Sequence, residues 1–351
     1  MSQTQAPSEA PSEVDLAAHL RTLTEGRDLS RAEAREVFEA FMSGTASPVL
    51  MGAILAVLRA KGIVPAEVAG GVEALRSAMV SVDGGSAHDL VDTAGTGGGG
   101  VTTFNISTAA ALVAAGAGVR LAKHGNRSFT SRSGSADVLE ALGVRIDLTP
   151  EKMGQVLQQA GIVFMFAPLL HPAMRHVGPV RRELGFSTIM NLLGPLTNPA
   201  GARRQVVGVA DPDLLPLVVA SLHELDHAHA LVVHGEVGMD EISPEGATRV
   251  AELRNGEVHE YTFTPEDLGL DEYPLSDIVG GEPEDNARLI EAVLSGRERA
   301  GARSAVLLNA GAAILVSGQV ESLHEGVVRA AKSIDSGAAA AALQRLRDAT
   351  H

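Results

Sequence analysis

Five of the six residues from 95 to 100 are glycine, and they lie between two short apolar runs. A strand, a turn without side chains and a helix start together expose several backbone N–H groups to an anion, and the helix dipole adds positive potential. Asn105, Ser107 and Thr108, at the predicted helix start, would add amide and hydroxyl donors. The pattern therefore predicts a turn that binds phosphate or pyrophosphate.

This glycine turn matches neither of the common nucleotide-binding patterns. It lacks the GxxxxGKS or GxxxxGKT sequence of ATP-binding loops, and the stretch about twenty residues after it contains Val119, Arg120 and Lys123 instead of the acidic residue that accompanies GxGxxG. A nucleotide-binding fold of either kind is thus disfavoured. A flexible glycine-rich hairpin without a ligand is the other interpretation of the turn taken alone.

A second polar cluster follows the next predicted strand, within residues 122–143. The carboxyl end of that strand carries Lys123, His124, Asn126 and Arg127. The hydroxyl residues ahead of the following helix are Ser128, Thr130, Ser131, Ser133 and Ser135. Because binding sites in open α/β sheets lie at the carboxyl ends of the strands, we expect this cluster to line the same crevice as the glycine turn. For Lys123 alone, a solvated surface lysine is the alternative.

Two adjacent acids, Asp240 and Glu241, follow the strand-like sequence AHALVVHGEVG. In a strand their side chains would point to opposite faces, and they would be ordinary solvated acids. In a loop they can converge on a hard cation, and Mg²⁺ typically takes one or two protein carboxylates together with phosphate oxygens and water. Next to a pyrophosphate turn, the pair predicts a Mg²⁺ site.

The composition limits the function classes. Hydrophobic residues make up 45% of the 351-residue chain, which is enough for a large core in one or two domains. A net charge of −15 disfavours binding to nucleic acid or to an anionic membrane, and an aromatic content of 3% argues against base stacking. The first 13 residues do not resemble a signal peptide. We expect a soluble cytoplasmic protein whose residues 1–13 form a disordered tail.

The elements that must position these residues change in type along the chain. Residues 14–80 predict short helices, with a capping box at Ser30 and Glu33, a helix start at Pro48 and another at Pro65. Predicted strands then alternate with helices, at LVDTA, VRLAK, GVRID, IVFMF, QVVGVA and AHALVVH. This alternation predicts an α/β fold with a mostly parallel sheet flanked by helices. Residues 238–263 predict a hairpin, residues 168–204 an irregular loop, and the region from residue 285 helices.

Several segments together resemble a known family. GTGG with FNIST, KHGNR with SGSADVLEALG, HPAM, VRRELG, NLLGPLTNP and MDEIS occur in this order. With these spacings they closely resemble the anthranilate phosphoribosyltransferases of tryptophan biosynthesis, over roughly residues 15–348. The resemblance implies transfer of a phosphoribosyl group from phosphoribosyl pyrophosphate (PRPP) to the amine of anthranilate, with Mg²⁺ as cofactor.

The resemblance also implies a role for each matching position. The PRPP site would comprise Gly95, Thr96, Gly97, Gly98, Thr103, Asn105, Ser107, Thr108, Lys123 and Ser135. The Mg²⁺ ligands would be Ser107, Asp240 and Glu241. The anthranilate tunnel would be lined by Gly95, His124, Asn126, His171, Arg181, Gly194 and Pro195, with Arg181 facing the carboxylate. The catalytic residues would be Lys123, His124 and Asn126, and His124 or His171 either assists proton removal or forms only the tunnel wall.

A two-domain fold of the nucleoside phosphorylase and phosphoribosyltransferase type follows from the same resemblance. A helical domain over residues 14–82, joined by part of 172–195, would be hinged over an α/β domain made of 83–171 and 196–351. Members of the family form homodimers through the helical domain. The implied partners are the two substrates and a second copy of the chain, with neither nucleic acid nor membrane.

The chain departs from the family pattern at residue 99. The family turn commonly continues GTGGDG, whereas Gly99 stands here at the acidic position. We therefore expect a second Mg²⁺ to bind more weakly than in relatives that carry the aspartate, because one anionic ligand is missing. Phe129 and Thr130 also replace residues that are commonly small.

Two other functions stay open from sequence alone. Pyrimidine nucleoside phosphorylases share the two-domain arrangement, although NLLGPLTNP and Arg181 argue against a nucleobase site. Some relatives of the family bind nucleic acid without known transferase activity. The acidic composition and the intact KHGNR motif argue against that role.

Overall fold

The computed structural model describes residues 14–128 and 132–351. The predicted tail over residues 1–13 lies outside the described residues, and so do Phe129, Thr130 and Ser131 of the hydroxyl-rich turn.

Four helices open the described chain, as the sequence predicts. They are α1 (Leu16–Thr24), α2 (Arg31–Ser43), α3 (Pro48–Lys61) and α4 (Pro65–Ala78). The capping box of α2 is present, because Ser30 accepts from the backbone of Glu33 and the Glu33 side chain accepts from the backbone of Ser30. Proline occupies the first turn of both α3 and α4, where its missing N–H leaves no helical bond unmade.

A seven-stranded sheet forms the centre of the larger part of the molecule. Its strands are β1 (Leu90–Gly95), β2 (Arg120–Gly125), β3 (Ile162–Phe166), β4 (Arg204–Gly208), β5 (His229–Gly235), β6 (Thr248–Arg254) and β7 (Glu257–Phe263). Their order is β3-β2-β1-β4-β5-β6-β7, with β1 to β5 parallel and the hairpin β6–β7 antiparallel. The strand order reverses between β1 and β4, which is where ligands bind in open α/β sheets.

Helices connect the strands and close the chain. They are α5 (Ile106–Gly116), α6 (Ser135–Ala141), α7 (Pro150–Ala160), α8 (Ala167–Leu170), α9 (Met174–Leu184), α10 (Ile189–Leu196), α11 (Leu215–Glu224), α12 (Pro283–Leu294), α13 (Gly301–Val316), α14 (Leu323–Asp335) and α15 (Ala338–Thr350). The α/β fold with its mostly parallel sheet is confirmed. None of the helices within the described ranges is both long and apolar enough to cross a bilayer.

The strand predicted at GVRID is wrong. Val144 and Ile146 are buried and alternate with exposed neighbours, yet this segment pairs with none of the seven strands. The amide of Arg145 instead donates to Thr350 Oγ1 at 3.3 Å. Packing against the C-terminal helix thus imposes a burial alternation of period two without a sheet partner.

The irregular loop predicted over 168–204 is also wrong in large part. The segment contains most of α8 and all of α9 and α10, although Pro179 and Pro195 lie inside helices. Val177 and Val180 are buried in the same cluster as α2, α3 and α4. Burial of an apolar face therefore outweighs the local preference of proline and glycine for turns.

The two faces of the sheet belong to different hydrophobic clusters. Val206 and Leu231 belong to the cluster that contains α5 and α13, whereas Val207 and Val232 belong to the cluster of α2, α3, α4 and α11. Successive strand residues point to opposite faces, so the N-terminal helices and α11 cover one face. The buried residues of α9 and α10 also belong to this second cluster. The predicted boundaries 14–82, 83–171, 172–195 and 196–351 remain a prediction that this packing supports.

Candidate active site

The site lies at the carboxyl ends of β1, β2, β4 and β5, with two glycines at its floor. Gly95 and Gly208 end β1 and β4 and pair with each other. A Cβ at Gly95 would lie 2.7 Å from Asp240 Oδ2, and one at Gly208 would lie 1.6 Å from Asp240 O. The loop that carries Asp240 can cross both strand ends only because neither position has a side chain.

The glycine turn is hydrogen-bonded to this acidic loop. The Gly97 amide donates to Asp240 Oδ2 at 2.9 Å, and the Gly100 amide donates to Gly238 O at 3.1 Å. Gly97 and Gly98 have φ angles of +67° and +81°, and a Cβ at either would meet no atom within 4 Å. The predicted anion-binding turn is therefore open on one side, and its left-handed backbone favours glycine.

Glu241 reaches the first turn of α5. Its Oε1 accepts from the Ser107 amide at 3.1 Å, and its Oε2 lies 3.4 Å from Thr103 Oγ1. Burial raises the pKa of Glu241 to about 8, and the charge of Asp240 acts in the same direction. Burial also raises the pKa of Asp240. The two acids thus lie in a loop that contacts both the glycine turn and the start of α5. Their role as Mg²⁺ ligands stays a prediction.

Lys123 extends from β2 toward the same region. Its Nζ donates to Thr93 O at 2.5 Å, to Thr93 Oγ1 at 3.2 Å and to Ser107 Oγ at 3.3 Å. Burial lowers the pKa of Lys123, while the charges of Asp92 and Glu241 act in the opposite direction. The ammonium group is therefore held beside Ser107, between β1 and the start of α5.

Asp92, a buried acid of β1, is hydrogen-bonded to the end of β2 and to Asn198. Its Oδ1 accepts from the His124 amide at 3.1 Å, and its Oδ2 accepts from Asn198 Nδ2 at 2.8 Å. Burial raises its pKa to about 6, and the charge of Lys123 and the Asn198 hydrogen bond counter that rise. Asp92 and Asn198 fix the backbone of the KHGNR segment.

The rings of His124 and His171 face each other. Their Nε2 atoms are 3.1 Å apart, and their ring centroids are 4.9 Å apart. Burial lowers the pKa of His124 to about 3, assisted by His171 and Lys123 and opposed by a hydrogen bond to the backbone of Gly194. Burial lowers the pKa of His171 to about 4. Both rings are neutral at pH 7, and the backbone of Gly194 contacts His124. The assignment of these residues to the tunnel stays a prediction.

The remaining residues predicted for the PRPP site have mixed placements. The side-chain Nδ2 of Asn105 donates to Ser133 O, and its Oδ1 accepts from Asn286 Nδ2. Thr96 Oγ1 accepts from the Ala210 amide at 3.3 Å. Thr108 Oγ1 is buried and has no hydrogen-bond partner among the described residues. Ser135 opens α6 beside Gly125. These assignments stay predictions.

The remaining tunnel residues lie on separate elements. Arg181 is on α9, burial lowers its pKa, and no charged group within the described part of the chain shifts it. Pro195 O accepts from Gln205 Nε2 at 2.6 Å. Asn126 Oδ1 accepts from the Arg127 amide at 2.7 Å, and Arg127 is paired with Asp137 and Glu140 at 2.6 Å each. Arg127 is thus occupied by a surface ion-pair cluster.

Two family models match the chain. The helical bundle domain of a glycosyl transferase family matches residues 17–79, and the a/b domain of a glycosyl transferase family matches residues 87–340. Among curated proteins, the anthranilate phosphoribosyltransferase of Symbiobacterium thermophilum is 52% identical, over 95% of this chain and 97% of the relative. That of Thermomicrobium roseum is 51% identical, over 93% and 95%. The chain belongs to the anthranilate phosphoribosyltransferase family.

Solved anthranilate phosphoribosyltransferases have the same fold. The crystal structure from Thermus thermophilus superposes with a TM-score of 0.90 at 45% identity, covering 94% of this chain and 98% of that one. The Saccharomyces cerevisiae enzyme, solved in complex with PRPP and Mg, has a TM-score of 0.87 at 28% identity, covering 97% and 98%.

Three residues of this candidate site were not predicted from the sequence, namely Asp92, Thr93 and Asn198. A charged residue inside the apolar run of β1 is a signal for Asp92, because a buried charge needs partners. Asn198 lies within NLLGPLTNP, a motif already singled out. Thr93 contacts Lys123 mainly through its backbone oxygen, and no side-chain pattern reveals such a contact.

Proposed function

We propose that this chain transfers the phosphoribosyl group of PRPP to the amine of anthranilate, giving N-(5-phosphoribosyl)anthranilate and pyrophosphate in tryptophan biosynthesis. The observation that carries the proposal is the meeting of Lys123, Ser107 and Glu241 beside the open glycine turn. A buried ammonium, a helix N-terminus and an acid pair are suited to a pyrophosphate with its cation. The anthranilate phosphoribosyltransferase relatives named above support the choice of substrates.

The donor would bind with its pyrophosphate at the glycine turn. In this structure the amides of Gly97 and Ser107 donate to Asp240 and Glu241, respectively. The two acids therefore occupy N–H donors that phosphate oxygens would otherwise bind. An anionic ligand at these amides would compete with both acids for the same N–H groups. Binding of the pyrophosphate therefore requires the two acids to turn away, toward a cation.

The acid pair fits Mg²⁺ by the nature of its atoms. Asp240, Glu241 and Ser107 offer only oxygen ligands, and no group of three or more His, Asp or Glu residues suited to a metal exists among the described residues. Mg²⁺ is commonly held by one or two carboxylates with substrate phosphates and water completing the shell. When bound, it would neutralise charge that grows on the leaving pyrophosphate. A yeast relative solved with PRPP and Mg supports this assignment.

The acceptor would bind between the histidine pair and α9. Arg181 is half-buried, and its guanidinium, which has no charged partner among the residues that the structure describes, is suited to the anthranilate carboxylate. His124 and His171 would form a wall with neutral rings. A general base works best with a pKa near the operating pH, so values of about 3 and about 4 favour the wall role over proton removal.

The chemistry would then rest on orientation and on stabilisation of the leaving group. The aryl amine attacks the anomeric carbon as the bond to pyrophosphate breaks, and after the new bond forms the nitrogen gives one proton to water or to the released pyrophosphate. Lys123 and the backbone amides stabilise the growing negative charge. Asn126, which follows the end of β2, would position the two substrates for in-line displacement with inversion.

The proposal includes a homodimer through the N-terminal helices and a cytoplasmic location. Val49 on α3 is 80% exposed, so this apolar side chain is available for such a contact. Light scattering on the purified chain would measure its mass, and a monomer over the working concentration range would contradict the dimer.

One assay tests the function. Purified protein is mixed with anthranilate and PRPP, with and without Mg²⁺, while anthranilate fluorescence and released pyrophosphate are followed. We expect Mg²⁺-dependent loss of fluorescence with equal release of pyrophosphate. A parallel reaction with thymidine or uridine and phosphate examines the phosphorylase alternative. Turnover there without loss of anthranilate would overturn the proposal.

A further inference from the structure

Two buried asparagines on C-terminal helices reach the loops of the site. Asn286 lies on α12 and Asn309 on α13, and they are 3% and 6% exposed. Neither belongs to a motif that predicts the site, and the side-chain polar atoms of both are hydrogen-bonded to protein groups. Buried amides are retained where all their hydrogen bonds are made, so their partners indicate what they hold.

Asn286 holds the start of α5. Its Oδ1 accepts from the Gly281 amide at 2.7 Å, and its Nδ2 donates to Asn105 Oδ1 at 3.0 Å. The Asn105 backbone oxygen accepts from the amides of Thr108 and Ala109, both at 3.1 Å, and so begins the helix. The orientation of Asn105 thereby sets where the Ser107 amide points.

The segment before α12 reinforces this contact. Residues 278–280 run antiparallel to residues 102–104, with the Phe104 amide donating to Ile278 O at 3.0 Å and the Gly280 amide donating to Thr102 O at 3.2 Å. A Cβ at Gly280 would lie 2.3 Å from Thr103 O. The exit of the glycine turn therefore rests directly on the chain that leads into Asn286.

Asn309 holds the acidic loop. Its Oδ1 accepts from the Ile242 amide at 3.1 Å, and its Nδ2 donates to Ile242 O at 2.9 Å and to Ala305 O at 2.9 Å. The Ile242 amide belongs to the peptide group that joins it to Glu241. With both backbone groups of Ile242 fixed, the base of the Glu241 side chain has a fixed direction.

We propose that Asn286 and Asn309 are positioning residues with separate tasks: Asn286 orients the PRPP-binding start of α5 through Asn105, and Asn309 orients the Mg²⁺-binding acids through Ile242. This proposal rests on the proposed function. The two residues share type, burial and a helical location, so each serves as the matched control for the other.

The test compares Asn286→Ala with Asn309→Ala in the full chain. Asn286→Ala should raise KM for PRPP at saturating Mg²⁺ on the order of tenfold, since the loss of a buried hydrogen bond misplaces Ser107. Asn309→Ala should raise the Mg²⁺ concentration for half-maximal rate on the order of tenfold, as changes behind metal ligands do. KM for anthranilate should stay unchanged in both.

A merely structural role predicts a different result. Both variants would then lose kcat in proportion to unfolded protein, and no KM would change, which would overturn the proposal. Asn105→Ala and the double variant Asn105→Ala/Asn286→Ala should have the same KM for PRPP if Asn286 acts through Asn105. Additive effects would contradict that route.

Two further measurements keep the outcomes separate. If the alanine variants do not fold, Asn286→Ser and Asn309→Ser keep a neutral hydroxyl that can donate and accept, and the same split is expected. If the unaltered protein does not consume anthranilate, the proposed function fails first. Calorimetry with PRPP and with Mg²⁺ then still shows whether each asparagine variant weakens one ligand selectively. Equal weakening of both ligands would refute the separate tasks.

Discussion

The Gly97 amide and the Asp240 carboxylate are joined by a hydrogen bond of 2.9 Å. The donor of the glycine turn and the acid of the metal loop therefore satisfy each other in this structure. A pyrophosphate that takes the Gly97 amide releases Asp240, and a cation that takes Asp240 releases the Gly97 amide. Under the proposed function, donor binding and metal binding favour each other because they share this one contact.

Asp240→Asn should impair turnover that depends on Mg²⁺. The amide oxygen can still accept from Gly97, so the turn is kept, but the anionic ligand is lost. We expect the rate at limiting Mg²⁺ to fall by about 10–100-fold. Rate against Mg²⁺ concentration measures the effect, with Asp147→Asn, an exposed acid paired with Arg145, as control. An unchanged Mg²⁺ profile would remove Asp240 from the metal site.

Gly99→Asp should strengthen Mg²⁺ binding. A Cβ at Gly99 would lie 3.3 Å from Asp240 Oδ1 and 3.1 Å from Gly238 O, so a carboxylate there would stand beside Asp240 after a small shift. We expect half-maximal rate at a lower Mg²⁺ concentration than in the unaltered chain. Gly99→Asn has the same shape without the charge and controls for the shift. Indistinguishable profiles of rate against Mg²⁺ concentration for the unaltered chain and Gly99→Asp would contradict this prediction.

Arg181→Ala and Lys123→Ala should affect different substrates. Removal of the half-buried guanidinium should raise KM for anthranilate, on the order of tenfold or more for a lost charged hydrogen bond. Removal of Lys123 should raise KM for PRPP, because its Nζ lies 3.3 Å from Ser107 Oγ at the donor site. Steady-state kinetics with each substrate varied in turn measures both. The reverse pattern would refute the placement of the two substrates.

Local sequence predicts much of this site, because its main residues come in short runs at strand ends. The glycine turn, KHGNR and the acid pair are each local in sequence, and the parallel sheet brings the strand ends together. Asp92 escaped because its role depends on Asn198, which is 106 residues away along the chain. Asn286 and Asn309 escaped for the same reason, since only tertiary packing places them under the loops.

The two wrong predictions of elements have a common cause. Val144 and Ile146 alternate like strand residues, and the prolines of α9 and α10 suggest a loop. In both segments, burial against distant helices decides the local structure, and neither periodicity nor proline content reports such contacts.

Mg²⁺ binding should improve as the pH rises from 7 to 8.5. The pKa of Glu241 is raised to about 8, so this side chain is largely protonated in the folded protein at pH 7 when no metal is bound. A cation must then displace a proton, and the displacement is easier at higher pH. Calorimetry at both pH values in buffers of different ionisation enthalpy measures affinity and proton release. Glu241→Gln should abolish the proton release, and a release that persists in this variant would contradict the assignment.

Acidification should destabilise the protein through its buried histidines. The pKa of His124 is lowered to about 3 and that of His171 to about 4. Below pH 6.5 these histidines therefore bind protons in the unfolded chain but not in the folded protein. This stability is present above pH 6.5 and is lost as the pH falls toward the folded pKa values. Each such histidine should lower the free energy of unfolding by about 2 kcal/mol between pH 7 and pH 5. Urea unfolding at both pH values measures the change.

His227 serves as a control that separates the pH dependence of stability from acceptor binding, because it is also a buried histidine with a lowered pKa. Burial, with the charges of Arg76 and Arg203, lowers its pKa to about 3, and the residue lies just after the end of α11. His124→Gln and His227→Gln should each reduce the pH dependence of unfolding by the same amount, because each removes one buried titrating ring. Only His124→Gln should raise KM for anthranilate. If His227→Gln raised it equally, the histidine wall would have no special place in acceptor binding.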